Sequence, residues 1–166
     1  MSKNTGFSLI ELVITVAVIG ILSSIAIPSY TKYVRETKRT EAKTEILRIA
    51  QLQESYYVQH LSYAKALNDA GGLGFASEKL TTESGLYFVQ VWGLDSSNNI
   101  INSCDGTNTT PCVGYKIRAT PVTGKGQDND SACSGGFQLW NTGLKQAKGS
   151  GDSDWSVAAT ARECWN

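Results

Sequence analysis

Three sets of residues in this chain could do chemistry. The first is a lone carboxylate, Glu11, inside the otherwise uncharged run Phe7 to Ile27, FSLIELVITVAVIGILSSIAI. At membrane depth a carboxylate is costly enough to require a partner charge or a functional reason. The second is the four cysteines, Cys104, Cys112, Cys133 and Cys164, all in the C-terminal part. An even number on the side that would be exported reads as a disulfide framework with three possible connectivities. The third is a spread of cations, Lys116, Arg118, Lys125, Lys145, Lys148 and Arg162, able to meet phosphates but interleaved with Asp128, Asp130, Asp152, Asp154 and Glu163. Catalysis finds little support. The single His60 falls at an expected helix end, no carboxylate pair has an obvious pocket, and the cysteines lack metal spacing such as C-x-x-C, so no enzyme, metal or cofactor is expected.

The elements that carry these residues follow from length and pattern. The 21 residues of the apolar run are enough to cross a bilayer core of roughly 30 Å as a helix. Lys3 in the leader Met1 to Gly6 favours an N-in orientation with the C-terminal domain outside. A cleaved secretory signal ending at Ser24-Ile25-Ala26 is the rival reading, and Glu11 in its apolar core counts against it. Of 166 residues, roughly 100 remain for one globular domain beyond a long N-terminal helix. Fifteen basic and 15 acidic residues give zero net charge, so nothing global selects nucleic acid or an acidic surface as partner.

At the N-terminus, Gly6-Phe7-Ser8-Leu9-Ile10-Glu11, the apolar run and Ala26-Ile27-Pro28-Ser29-Tyr30 resemble the class III prepilin signal of type IV pilins and type II secretion pseudopilins. The segments from Arg39 to Lys43, Ala50 to Tyr57 and Leu61 to Ala64 are similar to PilE-type minor pilins. The resemblance implies cleavage by a prepilin peptidase between Gly6 and Phe7, N-methylation of Phe7, and Glu11 as the family's assembly glutamate. It also implies an α+β fold in a ladle shape, with leader 1–6, transmembrane or filament-core helix 7–29 and globular domain 30–166. The implied life history is an inner-membrane precursor that joins other pilin subunits through the assembly machinery into a surface pilus for twitching motility, adhesion, biofilm formation or DNA uptake. A major pilin, a pseudopilin and a DNA-binding pilin remain the alternatives. Physical chemistry fits: cleavage would place an ammonium at Phe7 four residues from Glu11, on one helical face, for pairing within a subunit or between neighbours.

Beyond the run, Pro28 predicts a kink or a short melted segment between Gly20 and Pro28. Tyr30 to about His60 reads as helix, with Ala42, Ile46, Ile49, Gln53 and Tyr56 on the packed face and Leu47, Ala50 and Tyr57 widening it. Lys32, Arg35, Glu36, Lys38, Arg39, Glu41, Lys43, Glu45 and Arg48 are expected on the solvated face. The glycines Gly71, Gly72 and Gly74 read as a connecting loop, since no strand precedes them and no Lys-Ser/Thr follows at phosphate-loop spacing. Strands are expected at Leu86 to Trp92, Val113 to Thr120, Phe137 to Trp140 and Leu144 to Ala147, forming an antiparallel sheet of three to four strands. Val113, Tyr115 and Ile117 should lie on the helix, with Lys116 and Arg118 outside. In that layout Cys104 pairs with Cys112 across a small loop at Asp105 to Asn108, and Cys133 with Cys164. The resemblance makes the second bridge the boundary of the D-region, with a polar tip from Gly149 to Asp154 near Trp140, Trp155 and Trp165, read as core and lid residues.

Overall fold

The computed structural model describes residues 8–68, 70–100, 104–107, 109–156 and 159–166, which fall into two compact units, Met1–Val34 and Arg35–Asn166. Gly6 and Phe7, and Asn108 in the small cysteine loop, lie outside the described residues.

In the first unit the described residues after Ser8 belong to helix α1, Leu9–His60. Leu and β-branched residues fill this part, and without a second apolar surface to pack on they stay exposed, Ile10 at 62% and Ile25 at 65%. The segment from Gly20 to Pro28 is helical throughout, so the melted stretch expected there is absent. Proline removes one N–H but leaves the flanking turns their own bonds; nearby, Ser24 Oγ donates to Ile21 O at 2.7 Å and Thr31 Oγ1 to Pro28 O at 2.9 Å.

In the second unit α1 buries Arg39, Ala42, Ile46, Ile49 and Gln53, a series at spacings of three and four. Leu47 and Tyr57, expected to widen this stripe, are exposed at 49% and 40%. Each residue turns the helix by about 100°, which carries Leu47 a full quarter-turn past Ile46 and off the covered arc. Arg39 corrects the solvated face in the opposite sense, since it is only 3% exposed. Gln53 fastens the helix to the following loop by a reciprocal amide clasp, donating Nε2 to Ala64 O at 3.0 Å and accepting Ala64 N at 2.9 Å.

The loop then crosses to a five-stranded antiparallel sheet in sequential order: β1 Leu80–Thr81, β2 Tyr87–Leu94, β3 Gly114–Pro121, β4 Gly136–Trp140 and β5 Lys145–Lys148. The three- to four-strand expectation misses β1, whose two residues carry too little alternation to read. One sheet face joins α1 in a core that includes Ile46, Ile49, Tyr87, Val89, Ile117, Phe137 and Leu139. Period-two alternation delivers Tyr115, Ile117 and Ala119 to that face. Val113 departs from it, 49% exposed just before β3 begins. The chain closes with a short helix α2, Ala159–Trp165, whose Ala161 and Cys164 are buried.

Disulfides join Cys104 to Cys112 and Cys133 to Cys164, with Cα separations of 5.0 and 5.8 Å. The first packs onto β2 where only glycine fits: a Cβ on Gly93 would stand 2.6 Å from Cys112 Sγ and 3.1 Å from Cys104 Sγ. The glycine-rich loop meets the same small ring. Gly71 takes φ +80°, and a Cβ there would fall 2.0 Å from the Asp105 carbonyl oxygen.

Candidate functional site

The residues singled out in the sequence divide among three places. In the first unit Glu11 sits in the first turn of α1, with Ser8 N donating to its Oε2 at a long 3.4 Å and Thr15 Oγ1 donating to its backbone oxygen at 2.6 Å. This part of α1 is long and apolar enough to cross a membrane. The arrangement is a carboxylate weakly engaged at the start of an unburied apolar helix.

In the second unit Arg39 ties α1 to the C-terminal segment. Its Nε and Nη2 donate to the two oxygens of Asp130, both at 2.7 Å, and its Nη1 donates to Glu163 O at 2.7 Å. Asp130 is 5% exposed, so this is a buried bidentate pair with a third bond to the backbone. Burial alone would push the Arg39 guanidinium down; its bond to Asp130 together with the charges of Asp130 and Glu36 overcomes this and holds it raised. Asp130 lies just before Cys133 and Glu163 just before Cys164, so the guanidinium fastens both ends of the bridged segment. Asp130 therefore leaves the set of surface acids expected among the cations. Three others serve the backbone: Asp128 accepts N–H bonds from Gly124 and Gly126, Asp152 from Gly149, and Asp154 from Trp155. Those bonds, Gly124 first, hold the Asp128 carboxyl below the usual range.

The third place is the sheet face turned away from the core. Register puts Trp92 of β2, Lys116 of β3 and Trp140 of β4 in one cross-strand row, and Gln90, Arg118 and Gln138 in the next. The Lys116 ammonium stands 5.3 Å from the ring centroids of both Trp92 and Trp140. The Arg118 guanidinium stands 5.2 Å from Trp92 and 4.2 Å from Trp155. Cation–π attraction favours both contacts. Lys116 is consequently only 4% exposed, against the expectation that it faces solvent. Its orientation is the outward one that alternation requires; its cover comes from the register, which lays an indole on either side. Arg118 Nε donates to Gln138 Oε1 at 3.0 Å, while Gln138 Nε2 and Trp140 Nε1 donate to Gln146 Oε1 at 2.6 and 2.8 Å. Burial, then the Arg118 charge, pushes Lys116 down to about 8, and burial lowers Arg118 as well.

The other cations do not join this row. Lys145 Nζ lies 5.2 Å from the Trp165 ring, and Lys148 Nζ donates to Ser153 O at 3.1 Å. Trp165 packs edge-on to Phe137 at 5.3 Å, a core role. Lys125 and Arg162 are exposed, in a turn and on α2. His60 Nδ1 is 3.0 Å from Tyr56 O, and its ring stacks on Tyr56 with centroids 3.9 Å apart. Among the described residues no group of three or more His, Cys, Asp or Glu could hold a metal.

Two family models match the chain. One, described as the prokaryotic N-terminal methylation motif, covers residues 1–27. The other, described as type IV minor pilin ComP, DNA uptake sequence receptor, covers residues 28–138. The type IV major pilin protein PilA of Myxococcus xanthus is 42% identical over 77 residues, 46% of this chain and 34% of that protein. A fimbrial protein of Pseudomonas aeruginosa is 37% identical over 94 residues, 55% of this chain and 61% of its own length. The type IV major pilin protein PilE of Neisseria gonorrhoeae is 38% identical over 78 residues, covering 45% and 44% of the two chains. The chain thus spans between 34% and 61% of the length of these relatives. With an N-terminal methylation motif followed by a helix and antiparallel sheet that match a pilin family over residues 28–138, the chain belongs to the type IV minor pilin ComP family and is a type IV pilin subunit.

Proposed function

We propose that the chain is a minor pilin, held in the inner membrane by the apolar part of α1 and then assembled with other pilin subunits into a surface pilus that supports pilus biogenesis, twitching motility and adhesion. The observation that carries this reading is the exposed apolar helix with Glu11 in its first turn. Such a surface is tolerated in lipid or among copies of itself and is otherwise an association liability. Processing by a prepilin peptidase between Gly6 and Phe7, with methylation of Phe7, would create the amine that Glu11 can pair with. Gly6→Ala is expected to leave an unprocessed precursor of higher mass in the inner membrane; product of normal mass would count against cleavage at this junction. Deletion of the gene should remove or thin surface pili. Pili that persist while protein secretion fails would point to a pseudopilin instead.

A second reading, a pilin that binds DNA for uptake, is favoured by the description of the matching family and by the cations on the outer sheet face. It requires retention of duplex DNA that falls steeply as salt is added. Retention that is absent or indifferent to salt overturns it.

A further inference from the structure

Building on the DNA-binding reading, we infer that the outer face of the sheet is a phosphodiester site, where Lys116 and Arg118 take the backbone phosphates of duplex DNA and the surrounding indoles hold the cations in place.

Charge comes first. Lys116 and Arg118 sit two residues apart on one face of β3, about 7 Å along the strand. After burial, the charge that lowers Lys116 is that of Arg118, another cation. Neither residue makes an ion pair with a carboxylate among the described residues. Covered cations of like sign without an acid are costly unless something anionic completes them. Asp128, Asp152 and Asp154 accept backbone N–H groups, and Asp130 pairs with Arg39.

Donor geometry comes second. Arg118 spends Nε on Gln138, and that amide is itself bonded to Gln146, which also receives Trp140 Nε1. The relay fixes the guanidinium and leaves its two terminal nitrogens without a hydrogen-bond partner among the described residues, the pair that grips an oxyanion. The Lys116 ammonium makes no hydrogen bond there either. Asn68 Oδ1 is the fully enclosed side-chain polar atom without a partner among the described residues, so the Lys116 tip is not sealed from solvent.

The tryptophans decide what is read. Single-strand binders offer free ring faces on which bases stack. Here Trp92 is engaged by both cations, Trp140 by Lys116 and Trp155 by Arg118. The contacts these rings make are with cations, whose charge they position. Phosphates position a duplex without reporting its sequence, so this face supplies affinity and not sequence choice.

The test uses the full chain in detergent and two duplexes of unrelated sequence, with binding followed across a salt series. Lys116→Gln with Arg118→Gln should weaken both duplexes alike and reduce the slope of log affinity against log salt by about 2, since each phosphate contact contributes about 0.9. Arg118→Gln alone should lower it by about 1, which keeps the question open to measurement if the double variant does not fold. An unchanged slope, loss confined to one sequence, or single-stranded DNA binding more tightly than duplex would overturn the inference. If the parent chain retains no duplex, the DNA reading fails. Inorganic polyphosphate then separates the two ideas. Polyphosphate quenching of tryptophan fluorescence in the parent and not in the double variant would support an anion site. No quenching would overturn that site too.

Discussion

Glu11→Val is expected to abolish incorporation into the fibre while membrane insertion stays normal. The substitution removes the one charge from an apolar run and puts a residue that lipid favours in its place, so insertion is not impaired. Assembly loses what lipid does not need. Among packed helices an unpaired carboxylate is tolerated at the register where an amine meets it, so the charge can set the axial step between subunits. The Ser8 amide at 3.4 Å is too weak a partner to satisfy Glu11 by itself. Counting subunits in sheared fibres and in the membrane fraction separates the outcomes. Full incorporation of the variant would reduce Glu11 to a charge at a helix start, favoured there by the dipole.

The second large effect concerns Arg39. Asp130→Leu should destabilise the globular unit by about 3–5 kcal/mol, because it strands a guanidinium that is 3% exposed. Arg39→Met should cost a comparable amount by orphaning the carboxylate and the Glu163 carbonyl. Combining Arg39→Met with Asp130→Leu should cost far less than the sum of the single changes, since an apolar pair of similar volume leaves no buried charge. Urea unfolding of the three variants measures the coupling directly. Additive losses would show that the pair is not a unit.

Both effects were legible to different depths in the sequence. The run containing Glu11 announces itself through length and composition, and the Gly6-Phe7 junction through a specific motif. Ala42, Ile46, Ile49 and Gln53 follow from helical spacing alone. Arg39 belongs to that same series, three residues before Ala42, and phase was the available signal. Its charge argued for solvent, and the partner that reverses the argument lies 91 residues away. The sheet shows a similar divide. Alternation along β3 assigns Tyr115, Ile117 and Ala119 inward without reference to any other strand. The covering of Lys116 depends on Trp92 and Trp140 arriving opposite it, which only the pairing register decides. Strand β1 and helix α2, with two and seven residues, are too short to generate a period of their own.

The Arg39 clasp also has a mechanical meaning. The bridge between Cys133 and Cys164 makes a covalent ring that contains the whole β4–β5 hairpin, and Arg39 grips the chain at the neck of that ring, through Asp130 on one side and Glu163 on the other. A pull applied to the globular unit through Arg39 therefore loads two attachments in parallel beside a covalent crosslink. Opening the segment at that neck requires the buried Arg39 bonds to break as well as the crosslink.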